Sequence, residues 1–254
     1  MELLQVILLA VVQGITEWLP ISSSGHLVIF QHFFNIQADV FFNVMLHIGT
    51  LIAVIAVFRS KIIELIRAFF TFRFKTKTEK MSLFIILGSI PTAIIGFAFQ
   101  ELFESFFSNI TAVAIALIAT GFILYLTKFA KKKKSMNWKD SVLIGLAQGI
   151  AIIPGISRSG STISTGMLLG IDKNEAAEFS FLLFIPAIIG VFLFKAKDAG
   201  FVFSADILIG VIVAAFVGFI TIKYLLNLIK KGKFHYFAYY CFLLGIILFL
   251  TQLF

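Results

Sequence analysis

The sequence predicts an all-α polytopic membrane protein built from two inverted-topology repeats, each a re-entrant helix hairpin followed by three transmembrane helices. Three observations carry this reading. Apolar runs of near-membrane length recur along the chain, one polar motif occurs twice at a single offset, and the lysines and arginines gather on a common face in only one threading. Of the 254 residues, 60% are apolar, against roughly 45 to 50% in an average soluble domain. The mean hydropathy of +1.04 is too high for a water-facing surface. The formal charge of +8 sets topology in such a chain rather than recruiting nucleic acid, so membrane is an expected partner and nucleic acid is not. Cys241 is the single cysteine, which excludes an intramolecular disulfide and a cysteine metal site.

The first half, residues 1–128, opens with an apolar segment from Leu3 to Leu19 and a short one from Gly25 to Asn35. Glu2 stands where a signal peptide has its basic region, and no small-residue cleavage pattern follows, so a removable leader is not expected. Segment 25–35 is too short to cross a bilayer, which takes about 20 helical residues. It pairs with 3–19 as a hairpin over about 3–35, and spans follow at about 41–58, 83–99 and 110–127. Residues 129–140, with four consecutive lysines at Lys131 to Lys134, form a solvated linker. The second half, 141–254, repeats the plan: a hairpin at about 141–170 and spans at about 179–194, 207–226 and 236–253.

The repeat is visible residue by residue. Val12-Gln13-Gly14-Ile15 matches Ala147-Gln148-Gly149-Ile150, and Ile21-Ser22-Ser23-Ser24-Gly25 matches Ile156-Ser157-Arg158-Ser159-Gly160 at the same offset. Gly88 and Gly96 then pair with Gly210 and Gly218, and Gly121 with Gly245. Three spans per half, an odd number, force the halves into opposite orientations.

The positive-inside rule tests this threading against eight simple spans. With re-entrant hairpins, the cations Arg59, Lys61, Arg67, Arg73, Lys75, Lys77 and Lys80, the linker lysines, and Lys223, Lys230, Lys231 and Lys233 share one face. Lys195 and Lys197 lie opposite, together with the acidic loop bearing Glu101 and Glu104. Eight spans would move Lys223 to Lys233 to the wrong side. Both termini are therefore expected outside the cytoplasm.

The chemistry concentrates in the duplicated motif. Gln13 and Glu17 are four apart and share a helix face, and an ionisable residue at that depth is costly enough to be functional by default. Pro20 breaks the helix, and Ser22, Ser23 and Ser24 are favoured caps for the next one. A helix N-terminus opens there, with unpaired N–H groups suited to phosphate; capping alone is the plainer role for one or two of these serines. In the second copy, Pro154-Gly155-Ile156-Ser157-Arg158-Ser159-Gly160-Ser161-Thr162, the charge is Arg158, whose planar fork grips phosphate oxygens. The other reading of Arg158 is a structural partner of Glu17 or Glu178. Inverted hairpins meet near mid-membrane and bring Glu17, the serines, His26 and Arg158 together, the ingredients for displacement at phosphorus. His32 and His47 lack comparable company and read as ordinary helix residues.

These motifs, Gln13 to Glu17 with Ser22 to Ser24 and His26, and Pro154 to Thr162, resemble those of the undecaprenyl-diphosphate phosphatase family, inner-membrane enzymes also known as bacitracin-resistance proteins. The resemblance implies hydrolysis of the terminal phosphate of undecaprenyl diphosphate, regenerating the lipid carrier for peptidoglycan synthesis. It implies a site facing the periplasm, a divalent cation, Mg2+ or Ca2+, and leaves a homodimer open. Carried onto this chain, it makes Ser23 the candidate nucleophile, His26 the general acid or base, Glu17 a metal ligand or activating base, and Arg158 the phosphate clamp. Ser22, Ser24, Ser157, Ser159 and Thr162 would add phosphate contacts. A nucleophilic histidine is the competing mechanism. Many members carry two acids where this chain has Gln13 and Glu17, so Gln13 is a weaker second metal ligand and substrate oxygens would complete the cation's shell.

Two rival classes share part of this pattern. A polyprenyl-phosphate flippase would use the same inverted-repeat anion site, but the hydroxyl, imidazole and carboxylate cluster is denser than binding requires. Lipid phosphatases of the acid phosphatase type use several spaced Lys, Arg and His motifs that this chain lacks.

Overall fold

Apolar helices pack here around two short hairpins whose tips touch. The computed structural model describes residues 1–72, 74–132, 134–199 and 204–253, so Arg73 and Lys133 of the basic clusters lie outside the described residues, and of Lys197 only the backbone is described. The described residues are mostly helical and contain no strand. In order they form α1 (Leu3–Thr16), α2 (Ser23–Phe33), α3 (Val40–Phe70), α4 (Lys77–Ala98), α5 (Gln100–Phe106), α6 (Ile110–Leu126), α7 (Trp138–Ile150), α8 (Arg158–Leu168), α9 (Lys173–Ala199), α10 (Ala205–Lys230) and α11 (Phe237–Leu250).

Five of these, α3, α4, α6 with its 3-10 continuation, α9 and α10, are long and apolar enough to cross a membrane. The chain is an all-α polytopic membrane protein. The sixth expected span, 236–253, is the shorter apolar helix α11, preceded by a 3-10 turn at Phe234–Tyr236 and packed along α6. Exposed Ile, Leu and Phe side chains stud the long helices, for example Ile52 on α3, Ile94 on α4 and Phe216 on α10, as expected of surfaces solvated by lipid.

One boundary differs from the sequence expectation. The span expected to stop near residue 58 bends at Phe58 (φ −102°, ψ 16°) and continues as helix to Phe70. Its 31 residues reach about 46 Å, past a hydrocarbon core of about 30 Å. Arg59, Lys61 and Arg67 therefore ride on a helix rather than a loop. The extension is held by burial of Leu65 in a cluster with Met81, Met136 and Ile144, from α4, the linker and α7.

The halves interleave. α1 lies along α10 and, reciprocally, α7 along α4. Small residues permit these approaches: a Cβ on Gly145 of α7 would stand 2.0 Å from the Gly88 carbonyl oxygen of α4, and one on Gly14 of α1 would stand 2.7 Å from Val217 Cβ of α10.

Polar contacts sort the helix ends. Lys61 Nζ reaches Glu178 at 3.0 Å and Thr78 at 2.8 Å, Lys132 pairs with Asp172 at 3.4 Å, and Lys173 Nζ donates to the Lys230 carbonyl at 2.7 Å. The end of α3, the start of α4, the linker, the α8–α9 turn and the end of α10 thus share one end of the bundle. At the other end the Met1 amine lies 3.9 Å from Asp206, Gln31 donates to Asn43 at 3.0 Å, and Lys195 pairs with Glu104 at 2.7 Å. Hairpin α1–α2 opens toward this second end and hairpin α7–α8 toward the first.

Candidate functional site

The two hairpin tips interlock through backbone and hydroxyl groups. Ser22 is the N-cap of α2, with φ +69°, and its Oγ accepts from Gly25 N at 3.2 Å and, across the repeat boundary, from Gly155 N at 3.0 Å. Ser157 caps α8 the same way, accepting from Gly160 N at 3.0 Å, and Ser159 Oγ donates to the Leu19 carbonyl at 3.2 Å. Glycine is required where the tips cross. Gly155 has φ +97°, and a Cβ there would lie 2.5 Å from the Val113 carbonyl oxygen.

This junction sets Glu17, the last residue of the first descent, against Arg158, the first of α8. Glu17 Oε1 accepts from Arg158 Nη2 at 2.6 Å, while Oε2 accepts from Ser23 Oγ at 2.6 Å and from Gln13 Nε2 at 2.9 Å. The carboxylate is sealed, 5% exposed; Arg158 keeps 15% of its side chain open. The guanidinium also lies over the Phe184 ring, 4.2 Å from its centroid, and Trp18 packs edge-on against Phe184 and Phe181. A buried charge pair of this kind is tolerated when the remaining lone pairs and protons find partners, and here Ser23, Gln13 and the aromatic face supply them.

His26 is buried between two partners. Its Nδ1 lies 2.8 Å from the Ser22 carbonyl, which can only accept, so Nδ1 carries the proton. Nε2 then offers its lone pair to Tyr240 Oη at 2.7 Å, and the two rings stack at 11°. The pair joins α2 to α11, from opposite halves.

With this geometry in view, comparison with known proteins is decisive. The family described as Bacitracin resistance protein BacA matches residues 6–247. The chain belongs to this family. Among relatives, an undecaprenyl-diphosphatase of Halothermothrix orenii is 44% identical, covering 98% of this chain and 97% of its own. One of Korarchaeum cryptofilum is 39% identical over 97% and 98%, and one of Methanobrevibacter smithii 40% identical over 100% and 99%.

In this BacA chain the structure brings together Gln13, Glu17, Ser23 and Arg158 in one hydrogen-bonded cluster, with His26 one helical turn beyond Ser23. Ser22 and Ser157 use their hydroxyls as caps, each also 3.3 Å from a neighbouring hydroxyl, Ser24 and Ser159. Thr162 Oγ1 donates to the Arg158 carbonyl at 2.8 Å and lies 2.6 Å from Ser180 Oγ. Glu178, the other candidate partner of Arg158, belongs to Lys61 instead.

Two site residues escaped the sequence reading. Tyr240 carries no motif, and its partner His26 is 214 positions away. His47, read as an ordinary helix residue, is bonded through Nδ1 to Gln13 Nε2 and lies 3.9 Å from Glu17 Oε2. It stands four residues after Asn43 and three before Thr50 on the same helix face, the signal that it continues a polar stripe.

For a divalent cation the donor set is partial. No group of three or more His, Cys, Asp or Glu able to hold a metal occurs among the described residues, yet Gln13 Oε1 is a buried oxygen without a hydrogen-bond partner beside Glu17. An unpartnered amide oxygen and a carboxylate are hard-cation donor types, so these two residues could contribute to a cation that takes most of its ligands from elsewhere.

Proposed function

We propose that the chain hydrolyses the terminal phosphate of undecaprenyl diphosphate, releasing undecaprenyl phosphate and inorganic phosphate, at the junction of the two hairpins. Family membership carries the substrate, and the Ser23–Glu17–Arg158 cluster carries the chemistry. Ser23 Oγ attacks the terminal phosphorus while its proton passes to Glu17 Oε2, to which it is already bonded at 2.6 Å. The bond from phosphorus to the bridging oxygen breaks, and the lipid monophosphate leaves. Water then attacks the phosphoserine, the bond from phosphorus to Ser23 Oγ breaks, Glu17 returns its proton to Oγ, and the water's protons stay on the released phosphate. Arg158, half released from Glu17, neutralises phosphoryl oxygens as charge builds. His26, whose unprotonated Nε2 accepts from the Tyr240 hydroxyl, is placed as a base that can take up a proton through Tyr240. This geometry favours serine over histidine as nucleophile, because Nε2 is already engaged. A divalent cation held by Glu17, Gln13 Oε1 and the diphosphate would supply further charge neutralisation.

The same reading makes the halves inverted repeats with re-entrant hairpins, supported by the reciprocal packing of α1 on α10 and α7 on α4. It places the basic end in the cytoplasm of a bacterial inner membrane and opens the α1–α2 side to the periplasm.

The deciding measurement is phosphate release from undecaprenyl diphosphate by the purified protein, with and without chelator, for wild type and Ser23→Ala. Turnover is expected to fall by about 10³-fold or more in the variant. An unchanged rate would remove Ser23 from the mechanism, and no release by wild type would remove the proposed reaction.

A further inference from the structure

The rim of the site, unlike its floor, contains an imidazole that the mechanism above leaves idle. His47 keeps 23% of its side chain exposed, while Glu17 beneath it keeps 5%. Along with Ser23 and Arg158 it is one of the cluster's residues still open to an incoming molecule. His26, by contrast, is buried at 4%.

The hydrogen bonds fix which way this imidazole points its proton. Glu17 Oε2 is an acceptor, so the side-chain amide of Gln13 must turn its NH2 group toward it, as the 2.9 Å contact has it. The second proton of that NH2 goes to His47 Nδ1. Nδ1 is therefore the acceptor, and in the neutral ring the proton sits on Nε2. Nε2 has no partner among the described residues, and an N–H at the mouth of an anion site is an unused donor.

We propose that His47 is a substrate-contact residue, its Nε2–H donating to a non-bridging oxygen of the diphosphate beside Arg158. This rests on the phosphatase reading of the site. It gives Gln13 a defined role, in which its NH2 supports Glu17 on one side and holds the His47 tautomer on the other. An acid at position 13 would not donate to Nδ1, so the donor at Nε2 is tied to the glutamine this chain carries there.

Two amide variants separate contact with substrate from support of Gln13. In His47→Gln the amide NH2 reaches about as far as Nε2; in His47→Asn the shorter side chain presents its oxygen near Nδ1, where it can accept from Gln13 but cannot reach the substrate. We expect His47→Ala and His47→Asn to lose about 10- to 100-fold in kcat/KM on undecaprenyl diphosphate, the loss typical of one hydrogen bond to a charged group. His47→Gln should stay within about threefold of wild type. Each protein is first checked for an unchanged gel-filtration profile and thermal midpoint in detergent. Asparagine equal to or better than glutamine, or alanine at the wild-type level, would overturn the assignment. A wild type without phosphate release would instead sink the underlying reaction, so the two failures are distinct.

Discussion

Glu17 Oε1 lies 2.6 Å from Arg158 Nη2, although the residues stand 141 positions apart and belong to different halves of the chain. One carboxylate therefore links the two copies of the duplicated motif. It is also the acceptor for the nucleophile candidate Ser23. The two turns have similar sequences, and the unlike residues at their tips make a pair that neither turn holds alone.

Arg158→Ala should damage both stability and turnover. It leaves Glu17 sealed from solvent without its cation, and breaking a buried pair in this way costs about 3–5 kcal/mol. The thermal midpoint in detergent should fall accordingly, and phosphate release by about 10²-fold or more, since the clamp for phosphoryl charge is gone. Arg158→Lys should recover part of the stability and little of the activity, because an ammonium cannot hold Glu17 and phosphate at once in the fork geometry. Equal recovery of both would mean that Arg158 serves only as a counter-ion.

Tyr240→Phe isolates the role of a single hydroxyl. The ring that stacks on His26 remains, while Nε2 loses its 2.7 Å partner. A drop in kcat on the order of tenfold is expected with little change in KM or thermal midpoint, the scale of one neutral hydrogen bond. Stopped or steady-state phosphate release over a substrate series provides the split. A pure KM effect would place Tyr240 at the substrate rather than behind His26.

How much of this was open to the sequence depends on whether a residue's partners are its neighbours along the chain. Glu17, Ser23 and Arg158 were legible because each stands in a compact polar motif in apolar surroundings. His47 was not legible, because its partners come from α1 and the polar neighbours on its own helix face, Asn43 and Thr50, are uncharged. Tyr240 was hidden for the same reason, beside Tyr239 on a helix without charged residues. The length of α3 was misjudged because Arg59 and Lys61 look like the end of a span. A helix that leaves the membrane tolerates such cations, and Leu65 and Ala68 stay buried to hold it.

The crossing of the tips should be intolerant of even one methyl group. Gly155→Ala forces a Cβ to within 2.5 Å of the Val113 carbonyl at φ +97°, so overpacking and backbone strain add. A loss of about 2–4 kcal/mol is expected, with phosphate release falling in proportion to the folded fraction. Gly25→Ala, whose Cβ would stand 3.0 Å from Gly155 Cα, asks the neighbour to give by less and should cost less. Gly190, with nothing within 4 Å of a Cβ, is the control and should take alanine without loss. The order Gly155, Gly25, Gly190 in midpoint depression checks the junction without reference to activity.

The end of the bundle away from the basic clusters carries a pH-sensitive contact of its own. Lys195 donates to Glu104 at 2.7 Å and Gln100 adds a second bond at 2.9 Å, so the Glu104 carboxyl, in the α5 segment outside the spans, is held below its ordinary value of 4.5. A carboxylate whose pKa falls on folding adds stability above its unfolded value, and that increment disappears as pH drops through the lowered one. Glu104→Gln should therefore lower the thermal midpoint slightly at pH 7, and the difference should shrink as pH falls below the ordinary value of 4.5 and vanish once the folded carboxyl is protonated. Because Glu104 is 51% exposed, the increment is about 0.5 kcal/mol or less and should shrink further in high salt. A difference that persists unchanged at low pH would mean that the glutamate acts through packing of α5 rather than through its charge.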